Sequence, residues 1–525
     1  MSSFPATNKP RSRARSLAAA ALVAAAIALV VALGAGNPAV AAKEKGKLPK
    51  QPNIVLFMTD DQPAGSVLPE AMPNLHDLLI AQGTTFTDYI APTPLCCPSR
   101  AATSTGQYGH NNGVLRNLYD DLDEKKNVLS RWLQKAGYET AHIGKFYNAY
   151  ERSETVESPK EVAPGWDRWF TQLEKRKYYN WKASKNGKKV QYGQRDSDHL
   201  TEVTNRIAAK WTRKMVKQAD PFYMQVDFYA PHGAAGRDSR CASGPAPAPR
   251  DEFRFDTAPL PTPPNFNEAD VSDKPPFISG RPLIDQEALD NTTQRWRCTL
   301  ESLLGVDRGI YRVYRAVERK GELDNTVFVF ASDNGYYFGA HRIPKGKSEP
   351  YEENLRMPLT ILVPPAYRDG AAQVPTTDAP TANIDLAPTL LELAGAEPCK
   401  NENNCRVMDG RSLMPVLDGS GGFPEKRAFI VELFDCSYRG VRYDRNIYFE
   451  YGRGPLPATG ECEPSDIEHY DLADDPWQLE NLFPAPRRSP DGEIQRLLEA
   501  RLKELEDCAG IAGRDPAPTS GHYCE

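Results

Sequence analysis

Residues 53–61 read Asn53-Ile-Val-Leu-Phe-Met-Thr59-Asp60-Asp61, an apolar run that ends in a threonine and two aspartates. Such a run, bounded by polar residues, is typical of a strand buried on both faces of a parallel or mixed sheet. Two similar runs, at 326–331 and 359–363, predict further strands. Segments with helical periodicity lie between the runs, at about 122–136, 198–217, 287–320 and 384–394. This alternation predicts an α/β fold, a large, mixed but mostly parallel sheet with helices on both faces.

The pattern changes after about residue 425. Short segments at 428–433, 440–443 and 446–451 predict antiparallel strands, and 493–506 predicts a helix. We therefore predict a main domain over 43–425 and a smaller C-terminal α+β domain with an antiparallel sheet over 426–525. Ten prolines lie within 243–282 and predict an irregular surface excursion there.

Residues 1–42 have the composition of a secretory signal peptide. Four basic residues at 9–15 precede an uncharged apolar stretch at 17–36 and small residues at 39–42. About 20 apolar residues could also span a bilayer, so an uncleaved membrane anchor is the alternative. We expect cleavage and a secreted, extracellular protein, with membrane association only if the leader is retained.

Removal of this leader changes the charge balance. The leader carries four of the 64 basic residues and no acid, so 60 basic residues remain against 70 acidic ones, a net charge of minus ten. A body this acidic is a poor general binder of nucleic acid or of anionic membranes. An anionic substrate would therefore need a local cluster of cations.

Polar side chains follow two of the predicted strands. Asp60 and Asp61 end the first strand, and Asp333 and Asn334 end the strand at 326–331. Ligands bind outside the carboxyl ends of strands in open α/β sheets, so these side chains would share one crevice. Carboxylate and amide oxygens, without a nearby histidine pair or cysteine cluster, favour calcium or magnesium over zinc. The alternative is that the acids only cap the following turns.

A cysteine motif lies at 93–108, where Thr93-Pro-Leu-Cys96-Cys97-Pro98-Ser99-Arg100 is followed by Thr105-Gly106-Gln-Tyr108. Pro98 suits the first position of a helix, so Cys96 would lie just before a helix N-terminus, where the dipole favours negative charge. A thiol there would be unusually nucleophilic. A free buried cysteine and a disulfide partner are the alternatives.

In combination, these motifs resemble the type I sulfatases of the alkaline phosphatase superfamily. The resemblance rests on C-x-P-S-R and T-G-x-Y between an upstream Asp-Asp and a downstream Ser-Asp-Asn-Gly, and it covers most of the chain. Further matching segments lie at 137–146, 163–166, 230–233, 345–352 and 383–389. The Cys-Cys pair, Pro-Gly-Trp and Lys-Gly-Lys-Ser-x-Pro-Tyr look most like N-acetylglucosamine-6-sulfatases and the extracellular heparan-sulfate endosulfatases.

This resemblance implies that a formylglycine-generating enzyme oxidises Cys96 to formylglycine (3-oxoalanine), whose hydrated diol attacks sulfur. It implies that Arg100 holds the diol and that Lys145, His232 and Lys347 bind the sulfate oxygens. One calcium ion would be bound by Asp60, Asp61, Asp333, Asn334 and the modified Cys96.

The chain departs from the family pattern at one position. Many sulfatases have a histidine two residues after the lysine of the Gly-Lys motif, where this chain has Tyr147. The glucosamine-6-sulfatase-like branch also lacks that histidine and has an asparagine one place later, which Asn148 matches, so no general base is assigned. His110 is a candidate for substrate contact or proton transfer, with an ordinary loop histidine as the alternative. We expect His142 and His341 to be structural or surface residues.

By this resemblance the expected substrate is the 6-O-sulfate of N-acetylglucosamine or a related sulfated glycan. One alternative is a general arylsulfatase acting on small sulfate esters. Another is a phosphonate monoester or phosphodiester hydrolase of the same superfamily. A non-enzymatic alternative is a secreted glycan-binding protein that has lost turnover.

The ten cysteines fit an exported protein. If Cys96 is converted and Cys97 does not pair, eight remain, and their spacing suggests four disulfides as hypotheses. These are Cys241–Cys298, Cys399–Cys405, Cys436–Cys462 and Cys508–Cys524. Eight cysteines allow many other connectivities.

Overall fold

In the computed structural model, the apolar run at 53–59 forms strand β1 (Asn53–Thr59) within a ten-stranded sheet. The structure describes residues 51–158, 160–173, 177–234, 240–398, 405–433, 437–452, 464–484 and 489–525. The predicted leader at 1–42 lies outside the described residues. One compact unit runs from Lys50 to Glu525. The predicted boundary at 425 falls inside this unit, and the division into two domains stays a prediction.

The central sheet is mixed, with a parallel core. Its strands and those of a small two-stranded sheet are β2 (Thr84–Phe86), β3 (Tyr89–Ile90), β4 (Glu139–Gly144), β5 (Arg168–Leu173), β6 (Lys182–Lys185), β7 (Lys188–Gln191), β8 (Phe222–Asp227), β9 (Thr326–Ser332), β10 (Leu359–Leu362), β11 (Thr376–Thr377) and β12 (Thr381–Ala382). The order is β11-β2-β10-β9-β1-β8-β4-β5-β6-β7, and β12 pairs with β3. Strands β9, β1, β8, β4 and β5 are parallel. Strands β10 and β6 pair antiparallel with this core.

Helices cover both faces of the sheet. The longer helices are α1 (Cys96–Thr105), α2 (Leu129–Lys135), α3 (Leu200–Met215), α4 (Gln286–Glu318), α5 (Leu386–Ala394) and α6 (Pro490–Leu505). Short helical segments are Pro73–Leu75, His76–Ile80, Gly109–Asn112, Pro276–Ser279, Glu352–Leu355 and Met414–Leu417. Alternate residues of β1 point to opposite faces. Leu56 packs in one apolar cluster with Trp132 of α2, and Phe57 packs in another with Val203 of α3 and Leu303 of α4. The predicted fold class is confirmed.

A separate antiparallel sheet lies in the C-terminal region. Its strands, in order, are β13 (Ala428–Leu433), β14 (Tyr438–Tyr443), β15 (Asn446–Gly452) and β16 (Pro464–Asp471). Leu498 and Leu502 of α6 pack in the same apolar cluster as Ile430 and Val441. The first three strands and the helix match the prediction. Strand β16 was not predicted, because its polar sequence lacks an apolar run.

The proline-rich segment at 243–282 differs from the prediction in its burial. It is irregular apart from one helical turn, but it is not merely a surface excursion. Glu268, Val271, Lys274 and Ile278 are buried, and Lys274 Nζ donates to the Leu479 carbonyl at 3.0 Å. The segment therefore packs against the C-terminal region.

Two of the four suggested disulfides are present, Cys241–Cys298 and Cys508–Cys524. The first links the chain just before the proline-rich segment to α4. The other two suggestions involve Cys399, Cys436 and Cys462, which lie outside the described residues. No helix in the described part of the chain is both long enough and apolar enough to cross a bilayer.

Two central strands escaped the sequence reasoning. Strands β4 and β8 lie between β1 and β5, but polar residues interrupt their apolar runs. These are His142 in β4 and Gln225 and Asp227 in β8. The helix predicted at about 122–136 is also shorter, because it begins only at Leu129. The interrupting polar residues turn out to support the candidate site.

Candidate active site

The carboxylates that follow β1 and β9 are adjacent because the two strands pair in parallel as far as Thr59 and Ser332. The Asp61 amide donates to Asp333 Oδ1 at 3.1 Å, and Asn334 Nδ2 donates to Asp61 Oδ1 at 2.8 Å. Asp61 has a φ of 64°, in the left-handed region that residues other than glycine seldom adopt. Such conformations cluster at functional sites. The structure thus brings together the acids that were predicted from the two strand ends.

Cys96 faces this cluster from the first position of α1. The helix therefore begins two residues before Pro98, the predicted first position. Cys96 Sγ lies 3.3 Å from Asp60 Oδ1, and the side chain is buried. Burial, followed by repulsion from Asp60, raises the pKa of the Cys96 thiol to about 12. The prediction of an unusually nucleophilic thiol is therefore wrong for the unmodified residue. Cys96 forms no disulfide within the described chain.

Arg100 and Lys145 contribute two buried cations. Arg100 Nε donates to Asp333 Oδ2 at 2.9 Å, and Lys145 Nζ donates to Asp60 Oδ2. Lys145 directly follows Gly144, whose φ is 119° and whose Cα approaches β8 closely. A side chain there would place its Cβ 1.8 Å from the Asp227 carbonyl oxygen. Glycine at 144 therefore permits the turn that directs Lys145 to the acids.

Lys347 contributes the third cation from a loop after β9. Its Nζ donates to Asp61 Oδ1 and lies 2.5 Å from Cys96 Sγ and 3.3 Å from Asn334 Oδ1. The ammonium thus stands where atoms of three predicted metal ligands converge. These three atoms surround the positive charge of the ammonium, and oxygen atoms of this kind are also the ligands that a hard metal cation prefers.

Hydrogen bonds hold the Lys347 loop in place. The Tyr337 amide donates to the Gly346 carbonyl at 2.9 Å, and the Tyr337 hydroxyl donates to the Glu349 carbonyl at 2.9 Å. Tyr438 of β14 donates from its hydroxyl to the Ser348 carbonyl at 2.7 Å. The C-terminal sheet therefore helps to position a residue of the site.

His232 lies at the more exposed side of the cluster. Its Nδ1 lies 2.7 Å from the Gly233 carbonyl, which assigns a proton to Nδ1, and its Nε2 lies 3.6 Å from Asp61 Oδ2. One potential ligand atom each from Asp60, Asp61, Cys96 and His232 lies within 4.8 Å of the others. The residues present therefore fit a bound cation.

Electrostatics keeps the acids ionised despite their burial. Burial raises the pKa of Asp60, but attraction to Lys145 and then His232 outweighs it and the pKa is lowered. Burial likewise raises the pKa of Asp61, and attraction to Lys347 and His232 lowers it below its ordinary value. Anionic carboxylates are the form that binds a hard cation.

Asp227 supports the site from β8 and was missed by the sequence reasoning. Its Oδ1 lies 3.4 Å from Arg100 NH1, and its Oδ2 lies 2.8 Å from His142 Nε2. We predicted that His142 is a structural or a surface residue. It is fully buried in β4, which agrees with a structural residue and excludes a surface one. The sequence does contain an indication of Asp227. It is a polar residue at the end of an apolar run, just before the Ala-Pro-His-Gly segment at 230–233.

His110 contacts Glu432 of β13 and the Cys508 carbonyl. Its Nδ1 lies 3.0 Å from Glu432 Oε1 and its Nε2 lies 3.1 Å from the Cys508 carbonyl, so both ring nitrogens are engaged. These contacts favour a structural histidine over the predicted substrate contact or proton transfer, and we leave His110 out of the site. His341 is buried and stacks on Tyr351 at 4.1 Å between ring centroids.

Tyr147 occupies the position at which many sulfatases have a histidine, but its contacts are those of a supporting residue. Its hydroxyl donates to the Arg100 carbonyl at 3.2 Å and contacts the Ser104 hydroxyl, both on α1. Burial raises the pKa of the Tyr147 phenol, which keeps the hydroxyl neutral. Tyr147 therefore supports α1, the helix that carries Cys96 and Arg100.

Comparison with known proteins agrees with this geometry. A family model described as Sulfatase matches residues 52–396. The chain is 29% identical to an arylsulfatase of Chlamydomonas reinhardtii over 91% of this chain and 78% of that protein. It is 27% identical to the N-acetylglucosamine-6-sulfatase of Homo sapiens over 89% of this chain and 86% of that protein. A solved structure in complex with its substrate, D-glucosamine-2-N,6-O-disulfate, matches 86% of this chain and 98% of its own with a TM-score of 0.66 and 25% identity. The resemblance drawn from the motifs is confirmed.

Proposed function

The chain belongs to the sulfatase family and is a sulfuric ester hydrolase, and from this premise we propose that it hydrolyses the 6-O-sulfate of N-acetylglucosamine or of a related sulfated glycan. The observation that carries the proposal is the convergence of Arg100, Lys145 and Lys347 on the acids beside Cys96. The N-acetylglucosamine-6-sulfatase relative and the disulfated glucosamine in the similar structure support the choice of glycan.

We propose that Cys96 is converted to formylglycine by a formylglycine-generating enzyme. The hydrated formylglycine would supply the attacking oxygen. One bound calcium ion would supply a Lewis acid. The proposed calcium ligands are Asp60, Asp61, Asp333, Asn334 and the modified Cys96. The high pKa of the unmodified thiol supports this view, because a protonated thiol is a poor nucleophile.

The side chains around Cys96 have separable roles in this proposal. Arg100, fixed between Asp333 and Asp227, orients the nucleophile at position 96. Lys145 and Lys347 donate to the sulfate oxygens, on which negative charge grows in the transition state. His232 also contacts the sulfate at Nε2, the nitrogen that the Gly233 carbonyl leaves open.

The formal charge of the site suits a sulfate ester. With neutral imidazoles, the four buried aspartates and the three cations Arg100, Lys145 and Lys347 leave one negative charge. A dication changes this to one positive charge, which a sulfate monoester anion would neutralise. A phosphate monoester dianion would leave the site negative. Charge alone does not separate sulfate from a phosphodiester or phosphonate monoester, which are also monoanions.

We also propose that the protein is secreted after removal of residues 1–42. The two disulfides support an oxidising compartment, where such bonds persist. N-terminal sequencing of the exported protein tests this proposal. A mature chain that begins near residue 43 would support it, and a retained leader in a membrane fraction would contradict it.

A substrate panel tests the proposed reaction. It contains N-acetylglucosamine-6-sulfate, nitrophenyl sulfate, a nitrophenyl phosphodiester and a phenylphosphonate monoester. We expect the highest kcat/KM for the sulfated sugar. A preference for nitrophenyl sulfate would replace the glycan proposal with a general arylsulfatase. A large preference for either phosphorus ester would overturn the assignment of sulfate as substrate, and glycan binding without any turnover would indicate a binding protein.

A further inference from the structure

A second concentration of positive charge lies outside the active site. A cleft of about 620 Å³ is formed by α3, α4 and the end of β6. Helix α3 contributes Arg206, Lys210 and Arg213, α4 contributes Arg312 and Arg315, and Arg319 directly follows the last residue of α4. Lys185 of β6 is the seventh cation, and no carboxylate lines the cleft among the described residues. The proposed reaction does not use this cleft.

The cations form two rows because of their spacing. Residues three and four apart share one face of a helix, and both rows follow that spacing. Thr201 of α3 lies against Gly305 of α4, and Asn205 lies against Gly309, so the two helices run parallel. The two rows therefore face the same cleft. Like charges three or four residues apart destabilise a helix, so the rows cost stability in the absence of an anion.

Neighbouring acids neutralise only part of this charge. Arg312 lies 3.6 Å from Glu202, and Arg315 pairs with Glu318 one turn away. In the part of the chain that the structure describes, Lys210, Arg213 and Arg319 have no carboxylate within ion-pair distance, and all three are exposed. These three cations therefore keep their full positive charge on the surface of a protein whose predicted net charge after leader removal is minus ten.

The cleft lies at the opposite end of the strands from the active site. Arg213 and Arg315 lie in the last turns of α3 and α4, and short connections lead from there to the first residues of β8 and β9. The active site follows the last residues of these strands. Strands of six and seven residues separate the two ends by about 20 Å. A ligand that occupies both sites must therefore be a polymer.

We propose that the cleft binds a sulfated polysaccharide at a segment other than the one being hydrolysed. The proposal rests on the proposed function, because a sulfated glycan is the polyanion that such an enzyme meets. Regularly spaced sulfates complement the two rows of cations, and Tyr311, 42% exposed beneath Arg315, offers a ring for sugar contact. Attachment at the cleft raises the effective concentration of sulfate esters at the active site.

Charge reversal in the cleft tests this proposal. The variant Lys210→Glu/Arg213→Glu/Arg319→Glu is compared with Lys126→Glu/Lys426→Glu/Lys503→Glu, which makes the same change in charge at exposed lysines elsewhere. Binding to immobilised heparin is measured against salt concentration. We expect the cleft variant to lose affinity about tenfold or more, because several ionic contacts disappear, and the control to stay near the wild type. Equal heparin binding by the two variants would overturn the proposal.

Turnover of two substrates separates the cleft from the active site. For the cleft variant, kcat/KM on a sulfated monosaccharide should stay unchanged, whereas kcat/KM on a sulfated polysaccharide should fall. An equal fall on both substrates would contradict a separate polymer site. If the wild type hydrolyses neither substrate but the cleft variant still loses heparin affinity, the proposed function fails and the binding site stands.

Two further controls keep the result specific. The neutralising variant Lys210→Gln/Arg213→Gln/Arg319→Gln should bind heparin with an affinity between those of the wild type and the reversed variant, which protects the test if charge reversal prevents folding. Chemically desulfated heparin, duplex DNA and anionic vesicles are measured in parallel. Wild-type binding to DNA or vesicles that matches binding to heparin would overturn the choice of a sulfated polysaccharide.

Discussion

Asp227 Oδ1 lies 3.4 Å from NH1 of Arg100, and both side chains are buried. The other oxygen of Asp227 accepts from His142 Nε2 at 2.8 Å, and the Lys145 amide donates to the Asp227 carbonyl at 2.9 Å. One residue at the end of β8 therefore connects β4 and α1 behind the active site. Asp227 acts as a positioning residue for Arg100 and for the turn that carries Lys145.

We predict that Asp227→Asn lowers kcat about 10–100-fold with little change in KM, because Arg100 loses one of its two carboxylate partners. The loss of one partner from a buried ion pair should also cost about 3–5 kcal/mol of unfolding free energy. Steady-state kinetics and urea unfolding measure the two effects. Asp220→Asn, at an exposed aspartate just before β8, is the control and should change neither. An unchanged kcat in Asp227→Asn would show that Asp227 is not needed to position Arg100.

Removal of the metal should abolish activity and lower the melting temperature. Asp60 and Asp61 at the end of β1 are anionic and buried, so a bound cation stabilises the folded state by mass action. Chelation followed by calcium should restore both properties, and Asp61→Asn should need about 10–100-fold more calcium for half-maximal activity. The chelated enzyme with excess calcium is the control. Full activity after exhaustive chelation would contradict a metal-dependent reaction.

Conversion of Cys96 predicts an aldehyde in protein purified from its natural source. A hydrazide probe should label the peptide that contains position 96, and mass spectrometry should find loss of sulfur and gain of a carbonyl oxygen at Cys96 but not at Cys97. Cys96→Ala should give no label. An intact thiol at Cys96 in active enzyme would contradict the proposed nucleophile.

The pair of His110 and Glu432 predicts a pH-dependent contribution to stability. Burial lowers the pKa of His110, but attraction to Glu432 outweighs it and raises the pKa from 6.5 to about 9. The folded state thus holds the proton more tightly, so the stabilisation is complete below pH 6.5 and is lost as the pH rises through about 9. The unfolding free energy should fall by roughly 2–3 kcal/mol across this interval.

Urea unfolding at several pH values tests this expectation. In His110→Gln, the unfolding free energy should be lower at pH 6.5, and its slope up to about pH 9 should be flatter than in the wild type. His522→Gln, at an exposed histidine, is the control and should keep the wild-type slope. The same slope in His110→Gln and the wild type would show that another group causes the pH dependence.

The main fold and the acidic cluster could be predicted from local sequence for a physical reason. The apolar runs before Asp60 and Asp333 are typical of strands that are buried on both faces. Neighbouring parallel strands have their carboxyl ends at the same edge of the sheet, which brings the two aspartates together. The positions of Lys145 and Lys347 needed the family resemblance, because a lysine in a polar segment gives no signal of burial. In the structure Lys145 is buried and Lys347 is half-buried, and each pairs with an aspartate.

Other features depend on tertiary pairing that no local pattern reveals. Strand β8 was missed because Gln225 and Asp227 are polar, yet a buried polar residue is tolerated when its partners are supplied by other elements. The role of His110 likewise depends on Glu432, which lies 322 residues away in β13. The basic cleft needed the packing of α3 on α4 before its two rows of cations could be seen as one surface.

Sulfate release from N-acetylglucosamine-6-sulfate, measured by ion chromatography for the wild type and for Cys96→Ala, tests the central claim most directly. We predict steady release by the wild type and a decrease of about a thousandfold or more in Cys96→Ala, because the variant lacks the nucleophile. Equal release by the two proteins, or release by neither while a phosphodiester is hydrolysed, would contradict the claim that this chain is a sulfatase acting through position 96.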